Sequence, residues 1–226
     1  GADVDHFIAL KEEVNDIKVL NQSYRIPGGP IHELSQNIIN KVQNRFDKDY
    51  KPRDEEGVLK RYSDITQVDM SKGNWLVLSS ANYFLDDAKD LCEIQGWYYQ
   101  FKGRNSIPLK LLMALNNWEA WRKDAQLNHL EIKNIYEYLG SHVLPGFQKG
   151  KTLHSDTKYL MKDCRAEHGL VTDSVWYEAF EGLDNMTETY IRNMRANGEM
   201  INKNPRIIMS TIHGAKGGEA DKVLLM

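Results

Sequence analysis

The chain has 226 residues, of which 41% are apolar and 27% charged, and a formal net charge of -3. That length allows one substantial core, or one domain with a smaller one inserted into it. The composition excludes a disordered chain, and the slight negative charge excludes a global pull toward nucleic acid, so any such binding must come from a local basic patch.

No apolar run is long enough to span a bilayer, and no signal-peptide pattern opens the chain. Cys92 and Cys164 lack CxxC spacing and read as buried apolar residues in a reducing compartment. The first residues, "GADVDHFIALKEEV", hold no initiator Met and read as the interior of a longer chain.

In chain order, residues 4–14 predict a short amphipathic helix with Phe7, Leu10 and Val14 on one face. Ile17 to Leu20 predict a short strand running into a polar turn. Pro30 then sits at a first helical position, with Ile31, Leu34, Ile38 and Val42 following at helical spacing. "GVLKRY" is a weak strand signal. "NWLVLSS", residues 74–80, is a stronger one, its four apolar residues suiting a strand covered on both faces.

Ser80 is a candidate N-cap for the helix "ANYFLDDAKDLCEIQG", which Gly96 can close, and "WYYQF" follows as an aromatic strand. Strand–helix–strand order here predicts an α/β domain with a parallel sheet. From Ile107 to about Asn204 the pattern is mainly helical, and "PRIIMST" and "DKVLLM" then restore strand character. A helical block between two α/β segments reads as an inserted subdomain.

Two stretches imitate known sites. "GFQKGKT", residues 146–152, has three residues between Gly146 and the Gly-Lys-Thr where a P-loop needs four. No strand leads into it, so its amides would not converge on a phosphate, and it reads as a linker. "HELSQ" lacks the second His of a helical zinc site, leaving His32 and Glu33 as exposed helix residues. No GxSxG elbow occurs, and no complete catalytic apparatus is present.

Two further stretches can carry chemistry. "VLNQSYR" delivers Tyr24 and Arg25 from a strand end: a flat ring that can stack on a base, beside a guanidinium that can meet phosphate oxygens in a fork. An edge tyrosine beside an arginine in a surface ion pair would look the same. "STIHGAKGGEADKVLLM" follows the buried strand Ile207–Met209, at the carboxyl edge where α/β sheets hold ligands. Thr211 offers a hydroxyl, Gly214, Gly217 and Gly218 allow close backbone approach, Lys216 adds charge, and Glu219 is an acceptor suited to a ribose hydroxyl or a salt bridge. By itself this stretch equally suits a plain connection between two strands.

Together, "L-x-x-x-Y-R" early and "S-T-I-H-G-A-K-G-G-E-x-D-x-V" late resemble motifs IV and V of the UvrD/Rep/PcrA type of superfamily 1 helicases. The family patterns are close to L-x-x-N-Y-R-S and T-x-H-x-x-K-G-L-E-x-x-x-V. "WLVLSSANYFLDDAKDLCEIQGWYYQFKG" resembles the strand–helix–strand segment between them, and the initial "GA" resembles the tail of motif III.

The resemblance implies a RecA-like second motor domain, a parallel sheet flanked by helices, in three segments. Residues 1–105 would be its first segment, 106–204 a helical insertion, and 205–226 its return with motif V, ending before motif VI. It implies that Tyr24 stacks near adenine and that Arg25 reaches the γ-phosphate as an arginine finger, an arrangement worth about 10³ to 10⁵ in rate. Gly217 and Glu219 would shape the nucleotide cleft, while Thr211, His213 and Lys216 would face single-stranded DNA.

The implied cofactor is ATP with Mg2+, held mainly by a first motor domain of the same polypeptide. The implied partners are single-stranded DNA and single–double-strand junctions, in a bacterial cytoplasm, nucleoid-associated or phage-encoded, with no membrane involved. ATP binding would close the cleft and hydrolysis reopen it, so that grip on the strand alternates.

The chain departs from the family at several positions. Ser23 stands where Asn is usual, Ile26 where Ser or Thr is, Gly218 where Leu is, and Ala220 where a bulky residue is. Ser79 and Ser80 occupy the neighbourhood of a DNA-gripping Arg. Walker A, the DExx box and motif VI are absent from the 226 residues, so the chain alone is expected neither to hydrolyse ATP nor to unwind duplex. Two alternatives are a non-catalytic binding or regulatory module that keeps the fold, and a subunit of a recombination helicase–nuclease.

Overall fold

A computed structural model describes residues 4–199 and 203–226, without the side chains of residues 4, 7, 11 and 12. The initial "GA" and the Phe7 side chain therefore lie outside the described residues. The chain forms two compact units, residues 1–63 and 64–226, so the boundary divides the expected segment 1–105.

The first unit holds helix α1 (Val4–Glu13), strand β1 (Gln22–Gly28), helix α2 (Pro30–Ile39) and strand β2 (Lys51–Glu56). Pro30 opens α2 as its spacing predicts, because its missing N–H costs nothing in a first turn. The two strands differ from expectation. Residues 17–20 and 57–62 are not strands; β1 and β2 pair in parallel through less apolar neighbours, fixed by backbone bonds such as Lys51 N–H to the Asn21 carbonyl at 2.8 Å. Such pairing leaves no hydrophobic signature in the chain. His32 is half-buried rather than exposed, its Nε2 2.8 Å from the Tyr50 carbonyl.

The second unit is mixed α/β, a mostly parallel sheet flanked by helices. Its strands are β3 (Trp75–Ser79), β4 (Tyr99–Phe101), β5 (Arg104–Asn105), a short β6–β7 ribbon (Leu127–Asn128 with Lys158–Tyr159), β8 (Ile207–Thr211) and β9 (Lys222–Leu225). The five-stranded sheet runs β5-β4-β8-β3-β9, antiparallel only at β5. The last residues thus return to flank β3 on both sides, more than a hundred positions after it, β8 pairing Trp75 with Ile207 and β9 pairing Trp75 with Lys222.

Burial alternates along β8: Ile207 and Met209 are buried while Ile208 is 44% exposed. Helix α3 (Asp86–Gln95) follows β3, and Gly96 closes it in the left-handed conformation (φ 68°). A Cβ on Gly96 would lie 2.5 Å from the Asn193 backbone, so only glycine admits the close approach of helix α8 (Asn185–Ala196). The Tyr190 hydroxyl fastens the same helix by donating to the Trp97 carbonyl at 2.8 Å.

Ser80 does not cap α3. A 3-10 turn, Asn82–Leu85, precedes the helix with Ala81 at its cap position, and the buried Ser79 hydroxyl donates to the Ala81 carbonyl at 2.7 Å.

Helices α4 (Leu109–Trp121), α5 (His129–Tyr136), α6 (Met161–Glu167) and α7 (Trp176–Ala179) fill the middle. Trp118 and Trp121 are fully buried and donate their indole N–H groups to the carbonyls of Ser174 and Tyr159, each at 3.0 Å. The helical block shares one continuous apolar core with the sheet, running from Val68 to Met209. Both thiols are buried, and burial pushes each up to about 12.

Candidate nucleotide and nucleic-acid interface

The expected site residues fall in both units: Tyr24 and Arg25 in the first, and Thr211, His213, Lys216, Gly217 and Glu219 in the second.

Around Tyr24 the backbone is held by a residue the motif comparison left as a mismatch. Ser23 is the only buried residue among those described in the first unit. Its Oγ accepts from the backbone N–H of Arg25 at 3.2 Å and of Ile26 at 2.9 Å. A short polar side chain that bonds its own following amides turns the chain locally, which an Asn oxygen could also do. The turn leaves Tyr24 85% exposed, with no ring partner among the described residues, and Arg25 exposed beside it. A free aromatic face next to a guanidinium suits a base and a phosphate oxygen. Asn21 adds a buried side-chain oxygen with no hydrogen-bond partner among the described residues.

At the other group, the chain leaves the carboxyl end of β8 and makes a helical turn. The Ile212 N–H donates to the Ser79 carbonyl at 3.0 Å, tying the turn to the end of β3. The Thr211 Oγ1 accepts from Gly214 N–H at 3.1 Å and its carbonyl from Ala215 N–H at 3.0 Å, so Thr211 caps the turn with a lone pair and keeps its O–H proton for a ligand. Gly217 ends the turn at φ 84°, a conformation that strains any residue with a Cβ. His213 and Lys216 are exposed, and neither side chain has a polar partner among the described residues. Glu219 is exposed on the far side of Gly217.

From there residues 212–221 run back to the start of β9, crossing β3 on the sheet face that bears Leu76. A Cβ on Gly218 would lie 3.9 Å from the Leu76 side chain. The crossing explains how β3 is covered on this face: helices pack on the opposite one, while Ile208, Val223 and Leu225 stay exposed beside Leu76.

The same edge carries an aromatic pair that lies outside both motifs. The 3-10 turn Asn82–Leu85 lies over the ends of β3 and β8 and presents Tyr83 and Phe84, 66% and 46% exposed, with ring centroids 4.1 Å apart. Only part of their signal is present in the chain: Tyr83 falls out of phase with the buried face Leu85, Ala88, Leu91 and Cys92, whereas Phe84 shares the helical spacing of Ala88 and Leu91 and is left half exposed because its segment is a 3-10 turn.

Among the described residues no group of three or more His, Cys, Asp and Glu is placed to hold a metal ion. No helix among those described is long and apolar enough to cross a membrane. "GFQKGKT" forms turns around Gly146 and Gly150, without a preceding strand. No family model, curated protein or solved structure matches the chain.

Proposed function

We propose that the chain is the second, RecA-like motor portion of an ATP-dependent DNA helicase of the UvrD/Rep/PcrA type, contacting nucleotide through Tyr24 and Arg25 and single-stranded DNA through the turn after β8. The observation that carries this reading is the capped turn Thr211–Gly217: a hydroxyl, an imidazole and an ammonium, spaced as in motif V, displayed at the carboxyl edge of a parallel sheet.

The chain's residues have distinct tasks in this reading. Ser23 sets the backbone so that the Tyr24 ring stands clear to stack on a base, and Arg25 supplies charge to a terminal phosphate. Gly217 lets the turn end sharply before Glu219, to which the motif V resemblance gives a ribose contact. Lys216 and His213 hold phosphate oxygens of the single strand, and the Thr211 hydroxyl donates to one more. ATP with Mg2+ supplies the free energy of translocation, and its metal ligands and Walker A contacts come from a first motor domain.

Fluorescence anisotropy with a labelled single strand tests the DNA side on the 226-residue chain. Lys216→Ala is expected to weaken binding and to lower the slope of log K against log salt by about one, since one phosphate contact is lost. A chain that binds no single strand at low salt would overturn the DNA side. In a polypeptide carrying both motor domains, Arg25→Ala is expected to cut ATP hydrolysis by about 10³ or more while ATP binding persists. Turnover surviving that change removes the finger assignment.

A further inference from the structure

The carboxyl edge of the sheet carries more than the motif V turn. Across it lie Lys102 after β4, Thr211 and His213 after β8, and the Tyr83–Phe84 pair over the ends of β3 and β8. Leu85, immediately after them, is fully buried and fixes the turn in the core, while Tyr83 keeps 66% and Phe84 46% of its surface exposed. Exposed ring faces flanked by cations are the combination that binds single strands, with bases stacked on the rings and phosphates drawn to the charges. Lys102 and Lys216 supply the charge on this edge. Of the two carboxylates that open α3, Asp86 is engaged by Lys89 and Asp87 is exposed.

We infer that Tyr83 and Phe84 form a base-stacking platform for single-stranded nucleic acid, which takes the strand onward from the Thr211–Lys216 turn. This rests on the single-strand reading of that turn and adds to it the part of the site that touches bases. Stacking is indifferent to base identity because every base has a π-face, so the platform grips without reading sequence. It also rejects duplex, whose bases present only edges to a surface.

The test uses the 226-residue chain and two labelled strands of equal charge, an oligothymidylate of about twelve nucleotides and an abasic strand of the same length. The wild type is expected to bind the oligothymidylate about tenfold more tightly than the abasic strand, a typical effect for one or two stacked bases. The double variant Tyr83→Ala, Phe84→Ala is expected to lose that preference while keeping its affinity for the abasic strand, and Tyr83→Phe, which keeps the ring, is expected to retain it.

Equal, salt-sensitive binding of both strands by the wild type would overturn the platform and leave the single-strand reading standing. Binding of neither strand would overturn both. A preference that survives in the double variant would also overturn the platform, because bases would then be held elsewhere. Comparing the two strands on the unchanged chain keeps the test valid whatever the variants do to folding.

Discussion

Residues 1–63 and 64–226 use similar apolar patterns and reach different ends. In the second unit Trp118 and Trp121 are fully buried, their indole N–H groups satisfied, in a core shared by sheet and helices. In the first unit Leu34, Ile38 and Val42 hold the helical spacing of a core-facing stripe, yet they are 40%, 60% and 45% exposed, and no described apolar side chain is buried. Periodicity identifies which side chains share a face; it does not supply a surface to cover them. A segment of about sixty residues buries too small a fraction of its surface to make much of a core, whereas the longer unit can.

Substitutions can break or sharpen that contrast. All five tryptophans lie in the second unit, so tryptophan fluorescence during urea unfolding reports on it alone. Trp118→Ala should cost about 3–5 kcal/mol, from lost burial, the cavity and an orphaned Ser174 carbonyl. A loss below 1 kcal/mol would mean that the helical block is not part of the cooperative core.

Gly96→Ala should cost about 2–3 kcal/mol, because the added Cβ meets the Asn193 backbone and the left-handed conformation is strained. A neutral result would mean that α3 and α8 do not pack this closely. Ile38→Ala, measured by far-UV circular dichroism, should change stability by no more than about 0.5 kcal/mol, as is usual for an exposed site. A loss of a core-like 2 kcal/mol would erase the difference between the units.

Much of the second unit was legible in the chain. β3, the strands near 99–101 and 207–211, and the Gly96 stop follow from apolar runs and a glycine placed where a helix must end. The Ser80 cap was not, because the hydroxyl that organises this corner is the buried Ser79, one residue earlier. The strands of the first unit were displaced because β2, Lys-Pro-Arg-Asp-Glu-Glu, is charged and is set by backbone pairing alone. At the candidate site, the motif spacing marked Thr211, His213, Lys216 and Gly217 but passed over Ser23, whose role depends on which amides its hydroxyl reaches.

The sequence by itself determined most element types of the second unit, the glycine stop at Gly96 and the two motifs, since these depend on residues within a turn or two of one another. Only the tertiary structure decided that β8 and β9 would flank β3, that Tyr83 and Phe84 would stand beside the Thr211 turn, and that the stripe of α2 would remain open. Those outcomes depend on pairings between residues more than a hundred positions apart and on the surface available for burial, which local spacing does not encode.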